Sequence, residues 1–131
     1  MSYIEFKDVD KEYRGTVKVH AVKKCSFEIE KGEMVAILGQ SGAGKTTILN
    51  MLGGMDSPTG GSIIVDGKNI AVMKNRELVF YRRNDIGFVF QFYNLVANLT
   101  AIENVELACQ LCKDALSPAE VMKDVGLEER V

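Results

Sequence analysis

The sequence has no long hydrophobic run, little net charge and an odd, small number of cysteines. No apolar stretch approaches the ~20 residues that a membrane-spanning helix needs. The opening Met-Ser-Tyr-Ile-Glu-Phe-Lys-Asp lacks the apolar segment of a signal peptide. A net charge of −2 gives no electrostatic indication of nucleic acid as a partner. Three cysteines without a secretory signal favour a reducing compartment, so we expect a cytosolic protein. From the net charge, we expect no nucleic-acid partner.

The single histidine and the three cysteines form no recognisable metal motif. His20 is the only histidine and has no Cys or His partner at metal-ligand spacing. Cys109 and Cys112 have the C-x-x-C spacing of redox and zinc motifs, but no second pair accompanies them. Because an i, i+3 spacing puts both thiols on one face of a helix, we interpret them as packing residues.

The strongest motif that is present lies at Val35–Thr47, which reads Val-Ala-Ile-Leu-Gly-Gln-Ser-Gly-Ala-Gly-Lys-Thr-Thr. The apolar run Val35–Leu38 is typical of a strand buried on both faces. Residues 39–46 then match the phosphate-binding pattern G-x-x-x-x-G-K-[ST] at every specified position. The glycines let successive N–H groups point at a phosphate, and the helix predicted from Lys45 places its positive end beneath it. Lys45 can reach the β and γ phosphates, and Thr46 offers a hydroxyl to Mg²⁺.

This loop predicts a nucleotide-binding site. The residues that we expect to contact the nucleotide are Gly39, Gln40, Ser41, Gly42, Ala43, Gly44, Lys45, Thr46 and Thr47.

The part before the loop predicts antiparallel sheet. Tyr3–Val9 alternates as a half-buried strand does, and Val17–Val22 and Cys25–Ile29 are typical of short strands. Ser62–Gly67 predicts another strand and a turn, because Asp66-Gly67 is a preferred dipeptide of tight hairpins. A second interpretation makes Asp66 an acidic strand end that holds Mg²⁺, as in a compact phosphate-loop kinase or small NTPase; the turn chemistry is the stronger indication.

The part after residue 70 predicts helices and one more core strand. Glu77–Arg83 is a helix candidate whose arginines we interpret as a solvated face. Asp85–Gln91 is typical of a second buried strand. A capping box of Thr100 and Glu103 predicts a largely apolar helix, and Ser117-Pro118 with Glu120 predicts the start of another.

Two single residues have open alternatives. Tyr13 is either an aromatic at the rim or a platform on which an adenine ring stacks. Gln91 is either the polar end of a strand or a contact to metal and water beside the γ-phosphate.

Taken in order, these motifs resemble the N-terminal part of an ATP-binding-cassette (ABC) transporter ATPase subunit. The branch that serves lipoprotein-release, macrolide and antimicrobial-peptide export is the most similar. The resemblance is carried by three consecutive segments: Gly39–Gly61, Tyr81–Gln91 and Phe92–Val105. It extends from Tyr3 to at least Val105.

The resemblance implies a function and a set of roles. Tyr13 would stack on adenine, residues 39–47 would hold the phosphates of ATP, and Lys45 and Gln91 would be the catalytic residues. Thr46 and Gln91 would contact Mg²⁺. The expected partners are a transmembrane permease and a second ATPase subunit in a homodimer, which implies a cytoplasmic protein at the inner face of the membrane.

The resemblance also implies motifs that these 131 residues do not contain: the signature Leu-Ser-Gly-Gly-Gln, an apolar strand that ends in Asp-Glu (Walker B) and a switch histidine. Without the residues that position water and stabilise charge, we expect binding of ATP with very little hydrolysis. Two alternatives to the transporter ATPase stay open: a self-contained small phosphate-loop kinase or NTPase that uses Asp66 as a metal ligand, and a nucleotide-binding fragment with a regulatory or structural role and no turnover of its own.

We therefore predict an α/β fold of the P-loop NTPase class, with a RecA-like parallel sheet, an N-terminal antiparallel subdomain and the start of a helical subdomain. The predicted antiparallel region comprises residues 1–34 and 60–70, the P-loop core 35–59 and 71–91, and the helical subdomain 92–131. An unpaired edge of the parallel sheet would expose apolar faces, so we expect low stability or self-association.

Overall fold

The computed structural model describes residues 2–40, 42, 44–92, 94–112 and 114–129. It divides into two compact units, Met1–Ile86 and Gly87–Val131. Among these residues, the first unit contains a sheet, two α-helices and a short 3-10 helix (Ile70–Val72), and the second contains two α-helices. The two units are described below each by itself.

The sheet of the first unit has four strands, which are β1 (Ser2–Tyr13), β2 (Val19–Glu30), β3 (Gly60–Val65) and β4 (Lys68–Asn69). The strands lie in the order β2-β1-β3-β4, and each pairs antiparallel with its neighbour. The prediction of an antiparallel subdomain is thereby confirmed. The two short strands that the sequence predicts between residues 17 and 29 form the single strand β2.

A bulge in β1 sets the face that each side chain takes. Asp8 has a φ of 49°, and the pairing with β2 shifts between Phe6 and Val9. Simple alternation would put residues 6 and 8 on one face, whereas the extra residue puts Phe6 and Val9 together. Both are buried, so the bulge increases the apolar surface that this strand contributes to the core.

The hairpin between β3 and β4 has the turn that its sequence predicts. Asp66 and Gly67 have φ values of 48° and 79°, and positive φ at both central residues is the geometry of a type I′ turn. The backbone N–H of Asp66 donates a 2.8 Å hydrogen bond to the carbonyl of Tyr3. The turn interpretation of Asp66 is confirmed, and its side chain is exposed.

The core of the first unit lies where the sheet meets α1 (Lys45–Leu52) and α2 (Asn75–Asn84). The Phe6 and Phe27 rings stack with centroids 4.4 Å apart. Both predicted helices are confirmed. The buried cluster consists of Phe6, Val9, Val22, Met51, Ile63, Val65, Ile70, Leu78 and Tyr81.

The second unit contains α3 (Ala101–Cys109) and α4 (Pro118–Asp124). The capping box that begins α3 is confirmed, because the N–H of Glu103 donates to Thr100 Oγ1 and the N–H of Thr100 donates to Glu103 Oε2, each over 3.3 Å. Pro118 occupies the first turn of α4 as predicted, but the Ser117 side chain makes no capping hydrogen bond.

The cysteines of the second unit are free thiols. Cys109 is half-buried and Cys112 is exposed, so the packing interpretation is wrong for Cys112. Among residues 2–40, 42, 44–92, 94–112 and 114–129, no three His, Cys, Asp or Glu side chains form a group that could hold a metal ion. The helices within those ranges are also too short or too polar to cross a bilayer.

Two predicted core strands are wrong. Val35–Leu38 and Asp85–Gln91 adopt no strand conformation, and Leu38 and Val89 are almost fully exposed. A strand exists only when a neighbour accepts and donates its backbone hydrogen bonds, and the described part of the chain pairs no strand with either segment. The strand pairs in that part are all antiparallel. Because the two predicted core strands have no partner strands there, the predicted RecA-like parallel sheet is not formed in it. The α/β class itself is confirmed.

Gly61 is the glycine that the bulge in β1 demands. Its φ is +86°, and a Cβ there would overlap the carbonyl of Asp8 and lie 2.7 Å from that of Lys7. Gly67 has a similar φ of +79° but open space around it. We expect Gly61→Ala to lower the free energy of unfolding by about 3 kcal/mol, against about 1 kcal/mol for Gly67→Ala.

Urea unfolding of the two variants measures this difference, because both carry the backbone strain and only Gly61→Ala carries the overlap. Equal losses of stability would contradict the close approach of Asp8 to Gly61.

Candidate nucleotide-binding site

The phosphate loop ends at the amino terminus of α1. Gly42 and Gly44 have φ values of 84° and 89°, which L side chains rarely adopt. Gly44 is the N-cap, and its carbonyl accepts the first helical hydrogen bond from the N–H of Ile48 at 2.9 Å. The cap offers no side chain, and the first turn contains no acidic residue. The positive end of the helix is therefore available to an anion.

Gly44 also lets the loop pack closely against β2. A Cβ at Gly44 would lie 2.6 Å from the carbonyl oxygen of Ala21 and 3.3 Å from Cγ2 of Val22, both in β2. No real Cβ approaches a backbone oxygen that closely. The loop can thus lie in this position only because residue 44 has no side chain.

The Lys45 side chain folds back over the loop. Its Nζ donates a hydrogen bond to the carbonyl of Gly39, the first residue of the motif. Lys45 is half-buried, whereas the neighbouring Thr46 is exposed and Thr47 is half-buried. The ammonium group and the helix end together give a site of positive potential with the exposed Thr46 beside it, which fits a phosphate group and its cation.

Of the other predicted loop residues, Gly39, Gln40 and Gly42 are exposed. Ser41 and Ala43 lie outside the described residues.

Tyr13 lies at the end of β1 beside the loop that follows α1. Its hydroxyl donates a 2.8 Å hydrogen bond to Asp56 Oδ2. Lys11 Nζ lies 5.0 Å from the centroid of the Tyr13 ring and 2.8 Å from Asp56 Oδ1. The residue is 41% exposed, so the ring retains free surface on which a base could stack.

The Asp56 carboxylate is held in its charged form. Burial is the largest single influence and raises its pKa, but the hydrogen bonds from Lys11, Tyr13 and the Ser57 N–H, with the charge of Lys11, outweigh it. The pKa of Asp56 therefore lies below the usual 3.8, and the carboxylate is ionised at neutral pH.

The carboxyl end of α1 is held by α2. The Tyr81 hydroxyl donates a 2.6 Å hydrogen bond to the carbonyl of Leu52, and the Arg82 guanidinium donates to the carbonyl of Gly54. Arg82 is half-buried, so the interpretation of these arginines as a solvated face is wrong for this one. The first contact satisfies a carbonyl that the end of α1 leaves without a helical partner, and the second fixes the chain two residues beyond that end.

Gln91 lies in the unit Gly87–Val131, where its side chain is exposed and two stacked rings, Phe88 and Phe90, precede it. Asp66 occupies the tip of an exposed hairpin and belongs to no group of metal-ligating side chains in the described ranges. The Nε2 of His20 lies 3.2 Å from Asp10 Oδ1 on the surface of the sheet. The structure therefore offers no support for a metal site at Asp66 or His20 within the described residues.

The sequence assigned no role to Lys11 or Asp56, although both contact Tyr13. A Lys-x-Tyr pair and an aspartate 43 residues further along are not a recognisable local pattern. Only the return of the chain past β1 after α1 brings them together.

Tyr81 makes the stability of the first unit depend on pH in the alkaline range. Burial, followed by the charges of Asp85 and Tyr3, raises its pKa to about 12 from 10.0. A raised pKa means that the protonated phenol stabilises the folded state fully below pH 10, and that this contribution is lost as the pH rises through 12. Tyr81→Phe should cost about 1 kcal/mol at neutral pH, because the carbonyl of Leu52 loses its donor.

We expect the difference in unfolding free energy between the wild type and Tyr81→Phe to stay constant up to pH 10 and to shrink between pH 10 and 12. Urea unfolding over pH 8–12 measures it. A difference that does not change with pH would show that Tyr81 is not buried as described.

Residues 22–130 match the protein family described as ABC transporter. The chain is 44% identical to the ABC transporter ATP-binding protein YxdL of Bacillus subtilis, over 89% of this chain and 46% of YxdL. It is 43% identical to the macrolide export ATP-binding/permease protein MacB of Hyphomonas neptunium, over 98% of this chain and 21% of MacB.

A solved structure described as a dimeric post-hydrolysis state of the ATP-binding cassette MJ0796 bound to ADP and Pi is 41% identical. It superposes with a TM-score of 0.80 over 92% of this chain and 53% of that one. The chain thus spans about half or less of the length of these relatives.

Proposed function

We propose that this chain, which belongs to the ABC transporter family, binds Mg-ATP as the nucleotide-binding part of a transporter ATPase. The observation that carries the proposal is the phosphate loop, where Gly44 and Lys45 join an uncapped helix end to an ammonium group. The description of the similar cassette as bound to ADP and Pi supports a nucleotide as the ligand.

The proposed roles follow from the chemistry of each group. The N–H groups of residues 39–47 and the Lys45 ammonium hold the phosphates, and the Tyr13 ring stacks on the adenine. Lys45 stabilises the charge that develops on the γ-phosphate, and Gln91 orients the attacking water. Thr46 and Gln91 would hold Mg²⁺, which would neutralise part of the phosphate charge.

We further propose that the chain couples ATP hydrolysis to the export or release of a substrate. The relatives named macrolide export ATP-binding/permease proteins support a permease partner, and the dimeric cassette supports a second ATPase subunit. The chain would then work in the cytoplasm, held at the inner face of the membrane by its permease. The permease, which contacts the substrate, would select what is transported.

Residues 1–131 by themselves should bind ATP and hydrolyse it very slowly, since the signature, Walker B and switch-histidine motifs of the family are not among them. A kinase-like mechanism through Asp66 is disfavoured, because the hairpin turn explains that residue.

Lys45→Ala tests the site directly. We expect ATP binding to the 131-residue chain to weaken by about tenfold or more, because the ammonium makes charge-assisted contacts to the phosphates. Lys68→Ala removes an equally charged but exposed lysine in β4 and should leave the affinity unchanged. Equilibrium binding of a fluorescent ATP analogue provides the measurement.

Steady-state hydrolysis by the same proteins separates binding from turnover. Binding without Lys45-dependent turnover supports the proposal. Robust Lys45-dependent turnover would mean that all the catalytic groups lie within these 131 residues, and it would favour the small-NTPase interpretation.

We also propose that the isolated chain associates with itself. β2 is an outer strand of the sheet, and Met34 and Leu38 beside it are almost fully exposed. An apolar groove of about 350 Å³ lies along β2, lined by Cys25, Phe27, Glu28, Ile29, Val35, Ala36, Ile37 and Ile48. An outer strand next to exposed apolar side chains favours pairing between copies.

Sedimentation velocity at increasing concentration should therefore show species larger than the monomer. A stable monomer that melts in one sharp, cooperative transition would contradict self-association.

A further inference from the structure

A cluster of three side chains surrounds the aromatic ring that we propose for the adenine. The Asp56 carboxylate accepts one hydrogen bond from the Tyr13 hydroxyl and one from Lys11 Nζ, each at 2.8 Å. Oδ2 accepts from Tyr13, whereas Oδ1 accepts both from Lys11 and from the backbone N–H of Ser57, the latter also at 2.8 Å. The Lys11 ammonium lies over the Tyr13 ring, 5.0 Å from its centroid, and Tyr13 is 41% exposed.

Asp56 is itself fixed to the helix that begins at the phosphate loop. The N–H groups of Met55 and Asp56 both donate to the carbonyl of Asn50, over 2.9 and 3.2 Å. Asn50 lies in the last turn of α1, and Lys45 in its first turn. A helix of eight residues spans about 12 Å, so α1 is a spacer of set length between the phosphate loop and Asp56.

The other end of the cluster is fixed to β1. The N–H of Thr59 donates to the carbonyl of Asp10 at 2.8 Å, and Thr59 Oγ1 accepts from the N–H of Glu12 at 2.9 Å. Lys11 Nζ also donates to the carbonyl of Ser57 at 2.7 Å. The segment after α1 is thus tied to the strand that ends in Tyr13.

We infer that Asp56 and Lys11 are positioning residues, which hold the Tyr13 ring at a fixed place and orientation relative to the phosphate loop. This inference rests on the proposed function, because it assigns the ring to the base of the nucleotide. A base that stacks on a ring already held in place loses less entropy on binding. The cluster therefore contributes to the recognition of the base and not to that of the phosphates.

The experiment compares two ligands that share their phosphates and differ in the base: Mg-ATP and Mg-tripolyphosphate. Both are titrated calorimetrically into the 131-residue chain and its variants. Asp56→Asn keeps the shape of the side chain but not its charge, and Tyr13→Phe keeps the ring but not its hydroxyl. Asp124→Asn makes the same chemical change at an exposed carboxylate in α4, outside the cluster.

We expect Asp56→Asn and Tyr13→Phe each to weaken ATP binding about three- to tenfold. Tripolyphosphate affinity should stay within about twofold, and Asp124→Asn should leave both affinities unchanged. The double variant should bind ATP no more weakly than Asp56→Asn alone, because the hydrogen bond from the Tyr13 hydroxyl to the carboxylate is already lost in that single variant.

If Asp56 and Tyr13 contributed to folding alone, their variants would lose affinity for both ligands equally, and that result would overturn the inference. ATP binding that depends on Lys45 but is unchanged by Asp56→Asn and Tyr13→Phe would also overturn it while leaving the proposed function intact. Failure of the wild type to bind either ligand would instead refute the proposed function, and the inference with it.

Discussion

The close contact between Gly44 and the backbone of Ala21 is the constraint on which the candidate site depends. It sets the start of α1 against β2, and the phosphate loop must end there. Because α1 is a spacer of set length, its carboxyl end is then fixed too, where Tyr81 binds the carbonyl of Leu52 and Arg82 binds that of Gly54 just beyond the helix. A side chain at position 44 would therefore displace the loop and, through α1, the segment that contains Asp56.

The Tyr13 ring at the end of β1 is connected to the carboxyl end of α1 as well. Tyr13 is bound to Asp56, and β1 is the inner strand between β2 and β3. The phosphate loop and the ring are thus two parts of one unit, linked both through α1 and through the sheet. A nucleotide that contacts both would find its phosphate and base sites at a set separation, and that preorganisation reduces the cost of binding.

Local sequence predicted those features that local chemistry determines. The loop glycines and α1, the Asp66-Gly67 turn and the Thr100 capping box each follow from a few adjacent residues. The strand predicted at Val35–Leu38 failed because a strand depends on partners elsewhere in the chain, and an apolar run does not reveal whether they are in place. For the same reason, the contact of Asp56 with Tyr13, 43 residues earlier in the chain, could not be predicted from local sequence. Nor could the bulge that puts Phe6 and Val9 on one face.

The central claim is that one bound nucleotide contacts both the phosphate loop and the Tyr13 ring. Nuclear Overhauser contacts between the ring protons of Tyr13 and the adenine protons of bound Mg-ATP test it most directly. The account predicts such contacts on the ring face opposite Lys11. Saturated ATP binding with the adenine protons close to other residues, and with none to Tyr13, would contradict it.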